Sequence, residues 1–150
     1  MISLKRINNI EELMKWRAEV IQTVFRERPS SQLLEENRKY YEKHIPDGSH
    51  IAYAALYNGK EVGSGSICIT DELPSPDNPG GHCAYLMNIY VREKYRTHGI
   101  GHAIVKKLLE EAEHLGCEKI YLETTDAGRG VYESLGFRDM KDMMKYMGNE

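Results

Sequence analysis

An α/β fold, a single mixed β-sheet flanked by helices, is what this sequence predicts, and three features carry the expectation. Short runs suited to strands are interleaved with longer runs whose apolar residues fall at helical spacing. Asn58-Gly59 sits between two strand-like runs, the strongest short-range hairpin signal. Tyr85 to Thr125 reads as strand, helix and strand, so the two strands should lie parallel through a right-handed crossover. The 150 residues suit one domain over positions 1–150.

The elements follow in order. "SLKRI" alternates and reads as a short strand. In "NNIEELMKWRAEVIQTVF", Asn8 or Asn9 caps a helix with Ile10, Leu13, Met14, Ala18, Ile21 and Phe25 on one stripe. Pro29 breaks it, and Ser30 or Ser31 opens a second helix, "QLLEENRKYYEKHI", stopped by Pro46-Asp47-Gly48. The hairpin strands are "HIAYAALY" and "EVGSGSICIT". "DELPSPDNPGG" holds three of the five prolines and is a loop. "HCAYLMNIYV" is almost continuously apolar, as a central strand should be. The next helix runs to about Leu115 with Ile104, Val105, Leu108, Leu109 and Ala112 as its stripe, and Gly116 ends it. "KIYLETT" is a strand, "GRGVYESLGF" a short helix closed by Gly136, and "MKDMMKYM" a last strand.

Composition removes several function classes. The net charge is -3, from 20 basic and 23 acidic residues, which argues against a nucleic-acid protein. No run approaches the roughly 20 apolar residues of a membrane helix. "MISLKRINNI" lacks the apolar stretch of a signal peptide, so a cytoplasmic protein is expected. Cys68, Cys83 and Cys117 are odd in number and far apart, as reduced core thiols would be.

The informative stretch is "VREKYRTHGIGHAIVKKLLEEA", Val91 to Ala112. Gly99 and Gly101 stand where an amphipathic helix begins, although glycine there costs about 1 kcal/mol against alanine. A helix N-terminus binds anions through its unpaired N–H groups, and a missing Cβ lets a large anion come close. Arg92, Lys94 and Arg96 precede it, and "RTHGIGHA" reads as a pyrophosphate cradle with Arg96 reaching to the anion. The stretch taken alone fits equally a glycine turn beside a solvated charge cluster. Three other anion or metal motifs fail. Gly101 is followed by His102 and Ala103, not the Lys-Ser/Thr of a Walker A loop. The third glycine of a dinucleotide fingerprint is Ile104, and seven residues separate Val91 from Gly99 where that turn is tight. His98 and His102 are four apart, but a zincin needs Glu where Gly99 stands, so no metal is expected.

Arg96-Thr97-His98-Gly99-Ile100-Gly101 resembles the Arg/Gln-x-x-Gly-x-Gly/Ala motif of the GNAT family of N-acetyltransferases. "NIYV" before it and "GVYESLGF" after it look like that family's preceding strand end and tyrosine-bearing helix, and the order of elements from Ile2 to Met147 agrees. The resemblance implies the acyl-CoA N-acyltransferase fold and an acetyl-CoA site where the strand ending at Val91 and the strand at Lys119–Thr124 splay apart. It implies that Ile89, Tyr90 and Val91 lend backbone groups to the pantetheine, with the Ile89 N–H on the thioester oxygen. The amides of Thr97, His98, Gly99, Ile100, Gly101 and His102 would cradle the pyrophosphate. Relatives often carry Asn seven residues before the helix tyrosine. Here that position is Thr125, whose hydroxyl is the substitute contact.

The same resemblance assigns Tyr132 as the proton donor to the leaving thiolate. The base is open. Glu123 shares a strand parity with Tyr121 and can face the cleft; His82 has a suitable pKa range; a water chain would need neither. Asn88 interrupts an apolar strand and either bonds the acceptor or eases a bulge. The resemblance also implies that the first two helices and the proline loop wall the acceptor side. Asp71, Glu72 and Asp77 in that loop, with Glu19, Glu35 and Glu36 on those helices, would make the wall acidic and suited to a cationic amine: a small amine, a polyamine or a peptide amine. Two functions remain: an acetyl-CoA-dependent N-acetyltransferase, or a coenzyme A-binding regulatory module that performs no transfer. Oligomeric state stays open between monomer and homodimer.

Overall fold

The computed structural model describes residues 1–148. Five strands form one sheet in sequence order: β1 (Ile2–Ile7), β2 (His50–Tyr57), β3 (Lys60–Asp71), β4 (His82–Val91) and β5 (Lys119–Leu122). β1 to β4 pair antiparallel, and β4 and β5 pair parallel as the crossover requires. The helices are α1 (Ile10–Thr23), α2 (Ser31–His44), α3 (Ile100–His114) and α4 (Arg129–Ser134).

Local chemistry explains the boundaries. Asn9 caps α1 by accepting from the Glu12 N–H at 3.0 Å, and Ser30 caps α2 by accepting from the Leu33 N–H at 3.0 Å. The β2–β3 turn is two residues, with Asn58 at φ 52° and Gly59 at φ 84°, the left-handed pair that matches strand twist.

Both faces of the sheet are covered. On one, Ile104, Val105, Leu108 and Ala112 of α3 pack on Ile51, Ala55, Val62, Ile67 and Leu86. On the other, Leu13, Trp16 and Val20 of α1 and Tyr41 of α2 pack on Ile7, Ala52, Ala54 and Tyr90. Each fully buried aliphatic side chain contributes roughly 1.5–3 kcal/mol by leaving water. β2 is buried on both faces, which is why it reads as an apolar run without alternation. Cys83 and Cys117 are buried and all three cysteines are free. Among the described residues no helix is long and apolar enough to cross a membrane.

The expected last strand does not form. Through "MKDMMKYM" the described chain makes neither strand nor helix, and Met143, Met144, Tyr146 and Met147 are exposed. Met140, Met143, Met144 and Met147 are spaced three, four and seven apart, so they put no continuous apolar face on a strand of period two. The outer edge of β5 is unpaired among the described residues.

Candidate active site

The site begins where the sheet comes apart. β4 and β5 pair from Cys83 with Lys119 to Leu86 with Leu122 and no further, although β4 continues to Val91. "KIYLETT" is therefore strand only to Leu122, and Glu123 to Thr125 have left the ladder. On the β3 side, Ser66 pairs with Met87 and Ser64 with Tyr90, so Gly65 alone faces Asn88 and Ile89. This is a β-bulge, and it increases local twist. Asn88 sits at φ 59°, a left-handed conformation that Asn tolerates and β-branched residues do not. A Cβ on Gly65 would lie 2.5 Å from Ile104 and 2.8 Å from Ile89, so the bulge also fixes that glycine. The result is a stretch of β4, Met87 to Val91, with no strand beside it on the β5 side.

The glycine loop closes the end of that stretch. A 3-10 turn over Glu93–Tyr95 leads to Thr97 at φ 71° and Gly99 at φ 79°, the N-cap of α3. No side chain caps α3, and its first intrahelical bond runs from the Ala103 N–H to the Gly99 carbonyl at 3.1 Å. The amides ahead of Ala103 point out of the helix end. Gly99 is required by its φ. Gly101 is required by nothing among the described residues: a Cβ there would meet only Val91 Cγ2 of them, at 3.9 Å. The bare backbone at Gly101 faces open space beside the end of β4.

The loop side chains divide between structure and availability. The Arg96 Nε–H donates to the Val91 carbonyl at 3.0 Å, which holds an exposed cation at the end of β4. His98 Nδ1 lies 3.1 Å from the Tyr95 carbonyl and 3.0 Å from that of Arg96, and its ring meets Tyr57 edge-on. Ile100 is buried and offers only its amide; His102 is exposed. The Tyr90 side chain turns away and packs edge-on against Trp16, which leaves only its backbone on this side. Arg92 pairs with Glu19 at 2.9 Å and stacks over Trp16 at 4.7 Å, so it braces α1.

A cleft of about 600 Å³ opens beside the free segment of β4. Tyr132, Gly128, Glu123, Thr124 and Thr125 line one side; Arg17 and Val20 of α1, Val24 and Phe25 just after it, and Asn37, Tyr40 and Tyr41 of α2 line the other. Asn88 and Ile89 lie between. Tyr132 is half-buried, meets Phe137 edge-on at 5.7 Å, and burial raises its hydroxyl pKa. Burial, and then the charge of Glu123, raise the pKa of the Tyr85 hydroxyl. Glu123 itself is exposed. The structure thus brings Tyr132, Glu123, Thr125, Asn88 and Ile89 to one cleft, with the glycine loop at the end of the same strand.

Three expectations change. His82 starts β4, at the opposite end from the free segment, and bonds Asp71 at 2.9 Å, so it is no base for this cleft. The acidic wall is absent. Glu19 is paired with Arg92, Glu72 with Lys119 at 3.0 Å, Glu36 with Lys39 at 3.6 Å, and Asp77 accepts from Ser75 at 2.6 Å. None of them, nor Asp71 or Glu35, lines the cleft, where Glu123 is the one carboxylate among the described residues. Sequence reasoning also missed Arg17, Tyr40, Tyr41 and His50. No motif marks them. Arg17, Tyr40 and Tyr41 enter the cleft because α1 and α2 lie over the bulge, and His50 enters it from the start of β2.

His50 has an unusual setting. It is 2% exposed, its Nδ1 lies 2.9 Å from the Tyr40 hydroxyl, and its Nε2 has no partner among the described residues. Burial, aided by the charges of His44 and Arg17, lowers its pKa to about 4, so the ring is neutral.

Comparison with known proteins agrees with this architecture. Residues 11–137 match the model of the Acetyltransferase (GNAT) family. A thialysine N-epsilon-acetyltransferase of Sus scrofa is 33% identical over 50% of this chain and 57% of that protein. A glucosamine 6-phosphate N-acetyltransferase of Trypanosoma brucei brucei is 31% identical over 58% and 57%. The chain thus spans a little over half the length of these curated relatives. A crystal structure of a predicted acetyltransferase with acetyl-CoA from Clostridium acetobutylicum superposes with a TM-score of 0.86 at 22% identity, covering 97% of this chain and 96% of that one. A glucosamine-6-phosphate N-acetyltransferase of Arabidopsis thaliana gives 0.76 at 18% identity, covering 99% of both. With a five-stranded sheet parted beside β4, a bare helix entry at Gly99–Gly101 and a family match over most of its length, the chain belongs to the GNAT family of acetyltransferases.

Proposed function

We propose that the chain is an acetyl-CoA-dependent N-acetyltransferase that moves the acetyl group by direct transfer to a primary amine. The observation that carries this reading is the parting of β4 from β5. It sets a free strand edge, Ile89–Val91, between an anion-accepting helix entry and a cleft that holds a phenol and a carboxylate. The residues fit the coenzyme: the open space at Gly101 and the amides from Thr97 to His102 suit a pyrophosphate, and Arg96 stands beside them. Acetyl-CoA supplies an acyl group activated as a thioester.

The chain's own groups divide the remaining work. The backbone of Ile89, Tyr90 and Val91 holds the pantetheine arm as a neighbouring strand would, and the Ile89 N–H offers a donor to the acyl oxygen. The Thr125 hydroxyl, on the cleft wall, bonds a pantetheine amide. Glu123 takes the proton from the incoming ammonium, directly or through one water, because only the free amine is nucleophilic. Tyr132 keeps its proton, since burial raises its pKa, and offers it to the departing sulfur. A model thiol has pKa about 8.5 and tyrosine about 10, so full transfer is uphill and the donated hydrogen bond is the main contribution. The relatives named for thialysine and glucosamine 6-phosphate both acetylate amines, which supports an amine acceptor. The open outer edge of β5 and the exposed methionines after it support a homodimer, which sedimentation velocity reads directly.

The test is release of free coenzyme A thiol on mixing the protein with acetyl-CoA and a panel of primary amines. Amine-dependent release with N-acetylated product is expected. Tight acetyl-CoA binding with no release from any amine would instead make the chain a coenzyme-binding module.

A further inference from the structure

Arg17 is a cation in the acceptor half of the cleft that the transfer chemistry does not use. It is half-buried on α1, and its Nε–H donates to Asn37 Oδ1 at 2.9 Å while an Nη1–H donates to Asn88 Oδ1 at 2.6 Å. Both partners are neutral amides. No ion pair among the described residues includes Arg17, whereas Arg38, Arg92 and Arg129 each pair with a carboxylate. A guanidinium carries five N–H donors, and two are engaged here. A partly buried charge without a counter-ion is costly, and two fixed amides hold this one in place without neutralising it.

Its surroundings give that charge a cation–π contact with the Phe25 ring at 5.7 Å and no carboxylate among the described residues. Tyr41 and His50 line the same side, and the Arg17 charge acts on both, favouring the tyrosinate and opposing the imidazolium. His50 is neutral, with its Nε2 unpartnered. The cleft's one carboxylate among the described residues, Glu123, lies just past the end of β5. The cleft is therefore polarised, with a cation on the α1 side and an anion on the β5 side.

We propose that the acceptor is a primary amine that also bears an anionic group, a carboxylate or a phosphate, which Arg17 binds while the amine lies toward Glu123. This rests on the transferase reading above and sharpens its acceptor class: a zwitterionic amine rather than a polycation. Arg is suited to the task because its planar fork matches either oxyanion with two parallel bonds.

The experiment compares matched probes that differ only in the anion: lysine against 1,5-diaminopentane, and glucosamine 6-phosphate against glucosamine. In parent protein with acetyl-CoA, kcat/KM for the anion-bearing member of at least one pair should exceed that of its partner lacking the anion by about tenfold or more, the ratio expected of hydrogen bonds to a charged group. The pair with the larger ratio tells carboxylate from phosphate. Arg17→Met should bring that ratio near one, and Arg17→Lys should keep part of it. Ratios near one for both pairs in the parent, or a ratio unchanged in Arg17→Met, would overturn the proposal. Calorimetry with the same probes on the CoA-bound protein reads the preference as Kd without turnover. No thiol release with an Arg17-dependent Kd preference intact would remove the transferase reading and keep the anion site. Thiol release with no preference in either measurement would do the reverse.

Discussion

Arg17 Nη1 lies 2.6 Å from Asn88 Oδ1, so a helix on one face of the sheet is tied to the one β4 residue that sits in the left-handed region. The bulge at Asn88 and the parting of β4 from β5 are adjacent along the strand, and this bond anchors them to α1. Asn88 is an amide and carries no proton chemistry; its side chain accepts from Arg17 and donates to the Tyr41 hydroxyl at 3.5 Å.

Replacing that residue separates backbone from side chain. Asn88→Val puts a β-branched residue at φ 59° and removes the bond, and should lower unfolding free energy by about 1–3 kcal/mol. Asn88→Gly removes the bond but accepts the conformation, so its loss should stay near 1 kcal/mol. Urea denaturation of both variants measures the difference. Equal stability would mean that the bulge does not depend on a residue tolerant of positive φ.

At the helix entry the expected outcomes are set by space. Gly101→Val meets no protein atom closer than ordinary contact at its Cβ, so the fold should persist while acetyl-CoA binding is blocked. Arg96→Ala should weaken binding by about 1.5–3 kcal/mol, the range for a hydrogen bond to a charged group. Isothermal calorimetry reads both, and parental affinity in either variant argues against a pyrophosphate at this loop.

Much of this was legible in the residues. Asn58-Gly59, the caps at Asn9 and Ser30 and the stripe from Ile104 to Ala112 are local signals, and each placed its element. Gly99 and Gly101 read as an anion site because a glycine at a helix start has few other reasons to be there. The failures are non-local. The acidic wall rests on the resemblance and on the carboxylates along those elements, but pairing with Arg92 and Lys119 is a tertiary event that sequence order does not reveal. Arg17 reads as ordinary polar dressing on an amphipathic helix and becomes a cleft residue only because α1 crosses the bulge. The methionines after Met140 suggested a strand through hydrophobicity alone, without the alternation a sheet edge needs.

Tyr132→Phe keeps the ring against Phe137 and deletes only the hydroxyl, so stability should change little. If the hydroxyl serves the departing sulfur, kcat should fall roughly 100-fold or more, with kcat/KM alongside, while acetyl-CoA affinity moves by less than about 1 kcal/mol. Steady-state kinetics with calorimetry on one preparation decides. Parental kcat reduces Tyr132 to packing.

Stability should also respond to acid through His50. Its folded pKa of about 4 lies below the ordinary value of 6.5, so the unfolded chain binds the extra proton between those values. Stability from this group is then full above pH 6.5 and is lost as pH falls toward 4, by up to roughly 3 kcal/mol. The carboxylates with lowered pKa, Glu19 and Glu72 among them, act below their ordinary value of 4.5 and so leave the upper part of that window to His50. Thermal unfolding from pH 7 to 5 should show a falling Tm in the parent and a flatter profile in His50→Gln. Identical slopes would remove the burial of a neutral His50 from the account.

Hydrogen exchange read by mass spectrometry, with and without acetyl-CoA, tests the central claim most directly. The free edge of β4 and the uncapped entry to α3 both expose amides that have no partner among the described residues. Acetyl-CoA should therefore slow exchange at Ile89–Val91 and at Thr97–His102 together, and leave α1 and α2 largely unchanged. Protection confined to α1 and α2, with those two segments exchanging as before, would place the coenzyme elsewhere and contradict the account.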